Sequence, residues 1–197
     1  PVVALANLHG AARAEDFPPQ ALFALAELYF LRAEKTKSQS DYAASMIYAW
    51  ALLFPEDRAT PLDPLDPRAR IAADLYNRAL TSAFQRTEGG LIAFKNVTSF
   101  DLGLSFGKIS VTSKPDALKV EGTEFYHLRP VTELTVSGLR NRSRHPGIGS
   151  PVAARARALP GHAPVVSLDE DDLVPLTAVV EIEKPLAGLR SGHLHGE

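Results

Sequence analysis

Four stretches of this sequence place residue types at spacings that could do chemistry. Gly103-Leu104-Ser105-Phe106-Gly107 fits the G-x-S-x-G pattern. In that pattern a strand ends in a sharp turn, the serine hydroxyl is exposed as a nucleophile, and a helix begins behind it. His193-Leu194-His195 would set two imidazoles on one face of a strand, half of a metal site. Asp169-Glu170-Asp171-Asp172 is a run of carboxylates, the residue type that binds calcium when suitably spaced. Arg140-Asn141-Arg142-Ser143-Arg144-His145 is basic, and between Arg129 and Arg157 six arginines face the single acid Glu133. Forked guanidinium donors in such number suit phosphate or carboxylate partners.

The sequence around each stretch decides how far that chemistry goes. Phe100, Leu102, Leu104 and Phe106 alternate with Asp101, Gly103, Ser105 and Gly107, which predicts an extended strand running on through Ser105. Lys108 to Thr112 after it is β-type, so the helix that the nucleophile pattern needs is missing. No catalytic residue is therefore assigned, and Ser105 stands as the one candidate. A self-contained hydrolase would have to combine Ser105 with His127 or His145 and an aspartate.

The two strand histidines have no third ligand in view, so no metal is expected. The acidic run lacks the spacers and glycine of a calcium loop and reads as a solvated turn. The basic stretch has no interleaved aromatics on which bases could stack, which speaks against nucleic acid. Arg140, Arg142, Arg144 and His145 are read instead as binding or docking residues, pairing with Asp169 to Asp172 or docking onto an acidic neighbour domain, with a phosphate or lipid headgroup as the alternative contact. No Walker-type loop and no G-x-G-x-x-G opening a helix occurs, so no cofactor is expected.

Elements must hold these residues in place, and composition bounds them. The chain has 197 residues, 45% of them apolar and 22% charged, which is ordinary for a globular protein and excludes wholesale disorder. A net charge of −2 is too near neutral for a general nucleic-acid binder. Cysteine is absent, which removes disulfides, thiol nucleophiles and thiolate metal sites. There are 15 prolines, above the usual share of about 5%. No apolar run reaches the length of a membrane-spanning helix. The chain opens on proline rather than methionine and reads as a portion of a longer product, any targeting signal lying upstream.

Near Glu88-Gly89-Gly90 the composition turns from alanine and leucine to valine, threonine and serine, from helix formers to strand formers. Three helices are predicted before that point. Pro18 and Pro19 open the first, which runs to about Lys35 and is nearly apolar all round. Ser40 or Asp41 caps the second, which continues to Phe54 and is uncharged from Met46 onward. Asp66 caps the third, with Pro67 at its first position, and it ends near Arg86. Ile71, Leu75 and Ala79 form its apolar stripe, with Arg70, Asp74, Asn77 and Arg78 opposite. Two enclosed helices require more cover than the third supplies.

Beyond Gly90 the even-numbered alternation shifts to Ile109 and Val111, which places a bulge or tight turn near Gly107-Lys108. Further strands are predicted at 118–120, 133–136, 152–156 and 176–182, and Leu186 to Glu197 reads as strand-like. The fold class expected is α+β. A helical segment over residues 1–88 precedes an antiparallel β-rich domain over 89–197, which continues past the visible end.

The helical pairing, with small alanines at contacts and the Leu75-Tyr76-Asn77-Arg78-Ala79-Leu80 stretch, resembles tetratricopeptide-type helical hairpins, although no 34-residue repeat aligns. Val136 to Ala154, with its Gly138-Leu139-Arg140-Asn141-Arg142 block, resembles a segment of large bacterial α/β-hydrolase-fold proteins described as lipase- or esterase-like. The helical stretch from Asp66 to Leu80 and the strand stretch from Val174 to Arg190 are similar in kind to segments of those proteins and occur in the same order. That resemblance implies the non-catalytic N-terminal region of a carboxylic-ester hydrolase, bracing or docking a downstream catalytic domain. It also implies a cell-envelope or periplasmic location, and it carries no triad residue onto this chain. The competing expectation is a helical-hairpin interaction module that binds another protein chain, with an appended β-domain and no activity.

Overall fold

Proline and aspartate start the two helices whose beginnings are plainest. In the computed structural model, Pro18 precedes α2 (Pro19–Thr36), and Asp66 caps α4 (Pro67–Phe84) by accepting the Arg68 backbone N–H at 2.8 Å. The described residues are 2–56, 62–63, 65–85, 91–93, 97–102, 108–112, 118–134, 147–161 and 172–197. Between these helices runs α3 (Gln39–Leu53). Its cap is Ser38, whose hydroxyl accepts the Asp41 N–H, rather than Ser40 or Asp41 as the sequence predicts. Asp41 is turned inward instead, where it pairs with Arg32 of α2 at 3.2 Å.

The expected three helices are preceded by a fourth, α1 (Val2–Ala14), and followed near the C-terminus by α5 (Pro185–Ser191). The strand-like reading of 186–197 is corrected accordingly. Only His193–Gly196 is strand, because Pro185 starts a helical turn and Gly192, at φ 79°, ends it.

Every residue of α3 from Asp41 to Leu52 is buried. A helix apolar around its whole circumference needs neighbours on all sides. α2 and α4 flank it, and α5, β1 (Val97–Asp101) and, through His9, α1 add to the cover. Small residues let the neighbours approach: Ala43, Ala49 and Ala51 are fully buried, and the Ser45 hydroxyl donates to Ala26 O of α2 at 2.8 Å.

The strands form two four-stranded sheets. The first has the order β1, β2 (Lys108–Thr112), β8 (His193–Gly196), β7 (Ile182–Glu183). The second runs β3 (Lys119–Val120), β4 (Thr123–Pro130), β5 (Ser150–Ala158), β6 (Val174–Ala178). The fold is thus mixed α+β. Among the described strand pairs all but one are antiparallel, and the exception is β2 with β8.

The shift in alternation after Gly107 has a simple origin. Antiparallel β1 and β2 pair Phe100 with Ile109, so even positions on one strand share a face with odd positions on the other. Phe100, Leu102, Ile109, Val111, Leu194 and Ile182 line the buried face, and Phe84 of α4 meets Phe100 edge-on at 5.4 Å. β1 is described over Val97–Asp101, and residues 103–107, through which the alternation predicts it to continue, lie outside the described residues.

Two strand expectations are redrawn. The run 176–182 breaks into β6 and β7, which belong to different sheets, with residues 179–181 crossing between them. Of 133–136, Val131–Glu133 is a 3-10 turn and residues 135–136 lie outside the described ones.

Candidate functional site

Ser105, Arg140, Arg142, Arg144 and His145 all lie outside the described residues, as do Asp169, Glu170 and Asp171. What is described is the mount on either side of the basic stretch, and it is built from one helix. α4 presents an apolar stripe to α3, and its next flank turns toward the β half.

On that flank, the Asn77 side-chain amide donates to Gly147 O at 2.8 Å, and its carbonyl accepts the Gly149 N–H at 2.6 Å. Both backbone hydrogen-bonding functions of the turn entering β5 are thereby met by one planar group. Gly149 has φ +119°, and a Cβ there would run into Thr177 and Val179, so close approach to β6 requires glycine. One turn on, the Thr81 hydroxyl hydrogen-bonds the buried Ser150 hydroxyl at the first residue of β5. On the upstream side, the Gln85 side chain that follows α4 donates to the Glu133 carboxylate, and Gln85 O accepts from Gln39 at 2.6 Å. Glu133 on one side of the basic stretch, and Gly147, Gly149 and Ser150 on the other, are therefore tied to the C-terminal half of α4 or the residue after it.

Tyr76, beside Asn77, does the same for the crossing between sheets. Its hydroxyl donates to Val180 O at 2.6 Å and accepts the Val180 N–H at 2.8 Å. Burial pushes this phenol above its ordinary range, so it keeps the proton it donates. Trp50 of α3, in ring contact with Tyr76 at 5.2 Å, adds an indole N–H to Ile182 O at 3.1 Å. Glu56 accepts the Leu186 and Ala187 N–H groups at 3.1 and 2.8 Å, satisfying the first turn of α5 from outside. Arg190 of that helix reaches Asp16 at 2.7 Å.

Of the arginines near the basic stretch, Arg157 is paired with Glu124 of the neighbouring strand at 2.5 Å and lies over the Tyr126 ring at 5.2 Å. Arg129 is exposed, past a bulge between Tyr126 and Arg129. His127, the other histidine considered for catalysis, sits in that bulge with φ 51° and faces solvent.

His193 and His195 do share the exposed face of β8, as the spacing predicts. His195 stands beside Ser110 of β2 and Glu183 of β7 in register. Among the described residues no group of three histidines, aspartates or glutamates gathers to hold a metal.

No family model, no curated protein and no solved structure matches the chain.

The residue that sequence reasoning misplaced is Asn77. Helical spacing puts it with Arg70 and Asp74 on the polar side, yet it is only 8% exposed, whereas Ile71 of the apolar stripe is 43% exposed. β5 packs on α4 and makes part of its polar side an interface. The Gly147-Ile148-Gly149 spacing was the available signal, since paired glycines mark backbone approached closely by something else.

Proposed function

We propose that this chain is a non-catalytic N-terminal portion of a bacterial serine hydrolase, and that it braces or docks a downstream α/β-hydrolase domain which carries out ester or lipid hydrolysis. The docking residues in this reading are Arg140, Arg142, Arg144 and His145. The observation that carries it is the mount on α4: Asn77 holds Gly147 and Gly149 on one side of the basic stretch, and Gln85 holds Glu133 on the other. Fixing the base of a charged segment lowers the ordering cost that docking would otherwise incur. The hydrolase context, and with it an envelope or periplasmic location, rests on the resemblance of Val136 to Ala154.

Residues 1–197 should not turn over p-nitrophenyl esters. A chain extended to include the downstream segment should do so, and charge reversal at Arg140, Arg142 and Arg144 should weaken docking of the two parts supplied separately. Ester hydrolysis by residues 1–197 that is abolished by Ser105→Ala would overturn the proposal.

A second reading, a helical-hairpin module of tetratricopeptide type that binds another protein, is favoured by Leu28 and Leu31. These sit one turn apart on α2 and are 44% and 58% exposed. In that case Leu28→Asp with Leu31→Asp abolishes partner capture, and reversal of the arginines leaves it intact.

A further inference from the structure

His9 is an imidazole in apolar surroundings. It lies on the inner face of α1 with Leu5 and Ala12 and is 3% exposed. Its Nδ1 is 2.7 Å from the Tyr48 hydroxyl on α3, and its ring is 5.3 Å from that of Phe17 in the turn after α1. Tyr48 is buried in turn and stacks on Tyr29 of α2 at 5.7 Å.

Among the described residues the outer side of α1 carries no cover: Val3, Ala4, Asn7, Gly10, Ala11 and Ala14 all face solvent. So α1 is attached along one side only, and its one buried titratable group sits in the middle of that side.

We propose that α1 is an acid-released strap: protonation of His9 frees α1 from α2 and α3, uncovering Tyr48 and Phe17 while the rest of the fold persists. An imidazolium in this position must give up most of its hydration, and buried charge is costly. Arg13, one turn further along α1, repels it. Tyr48 on α3 and Tyr29 on α2 remain neutral phenols, both raised by burial. Behind Tyr29, Arg32 and Asp41 are engaged with one another, and at the turn Asp16 is held by Arg190.

Burial first, and Arg13 second, lower His9 from 6.5 to about 4. A released, solvated His9 would titrate near 6.5, so between these values the open form binds more protons than the closed one. Closure is then strongest above pH 6.5 and loses up to about tenfold per pH unit as pH falls toward 4.

Hydrogen exchange on residues 1–197 from pH 7 to pH 4.5, corrected for the intrinsic rate, tests this. Protection of α1 amides should fall by up to about tenfold per unit below pH 6.5 while α3 amides hold, with a parallel rise in binding of an apolar dye. His9→Gln, which can still hydrogen-bond Tyr48 but cannot charge, should flatten the α1 profile, and His9→Leu should do likewise. Tyr48→Phe should lower α1 protection at every pH and keep the slope. A flat wild-type profile, an unchanged slope in His9→Gln, or loss of α1 and α3 protection together would each overturn the proposal.

Discussion

α3 and α4 lie side by side and are held in different ways. α3 is buried from Asp41 to Leu52, and most of its side-chain bonds run to other helices, Ser45 to Ala26 O and Asp41 to Arg32 of α2 among them, while Trp50 reaches Ile182 O of β7. α4 packs one stripe against α3 and spends the next on hydrogen bonds to β backbone, through Tyr76, Asn77 and Thr81. Burial is strong but has no direction. A side-chain bond to a particular carbonyl or N–H is weaker and sets position. The helical layer therefore supplies stability, and the seam supplies the register of the two sheets.

Substitutions that act on one of these and leave the other alone separate them. The largest effect is expected from Ile47→Ala in the middle of α3. Ile47 is fully buried, and the cavity should cost about 2–5 kcal/mol in denaturant unfolding, with the seam's chemistry unaltered.

Next comes the seam. Tyr76→Phe keeps the ring and leaves both Val180 backbone groups unpaired, at a cost of about 1–3 kcal/mol. Its distinguishing sign is local: amide exchange at Val180 and Ile182 should rise more than at α2. A uniform rise would mean that the hydroxyl contributes stability and no positioning.

Ser38→Ala removes the α3 cap and should cost about 1 kcal/mol, read in the same unfolding assay. The smallest change belongs to Glu124→Gln, which breaks a surface pair with Arg157 on β4 and β5. Less than about 1 kcal/mol is expected, vanishing at high salt.

Much of the helical half could be read from residues. Pro18-Pro19 and Asp66-Pro67 mark helix starts because proline suits a first turn that has no N–H to satisfy, and those starts stand where the sequence places them. α1 was less legible. Its five alanines favour helix, Val2, Val3 and Gly10 argue against it, and burial of Leu5, His9 and Ala12 against the rest of the fold adds to the balance. β4 was hidden for another reason: the bulge at His127 breaks the alternation that identifies a strand. In the candidate site, the basic stretch was visible, but the asparagine that bonds Gly147 and Gly149 beside it sits, by helical spacing, on the wrong side of its helix.

Local sequence was sufficient for what depends on neighbours along the chain: the starts of α2 and α4, the alternation of side chains in β1, and the change from helix formers to strand formers near Gly90. Tertiary structure alone decided which polar side chains turn inward, that β2 and β8 run parallel, and that residues 179–181 cross from one sheet to the other. The reason is physical. A helix face or a strand edge is polar or apolar by composition, but whether a hydroxyl or amide on it meets water or a distant carbonyl depends on what packs there, and Tyr76 and Val180 are 104 residues apart.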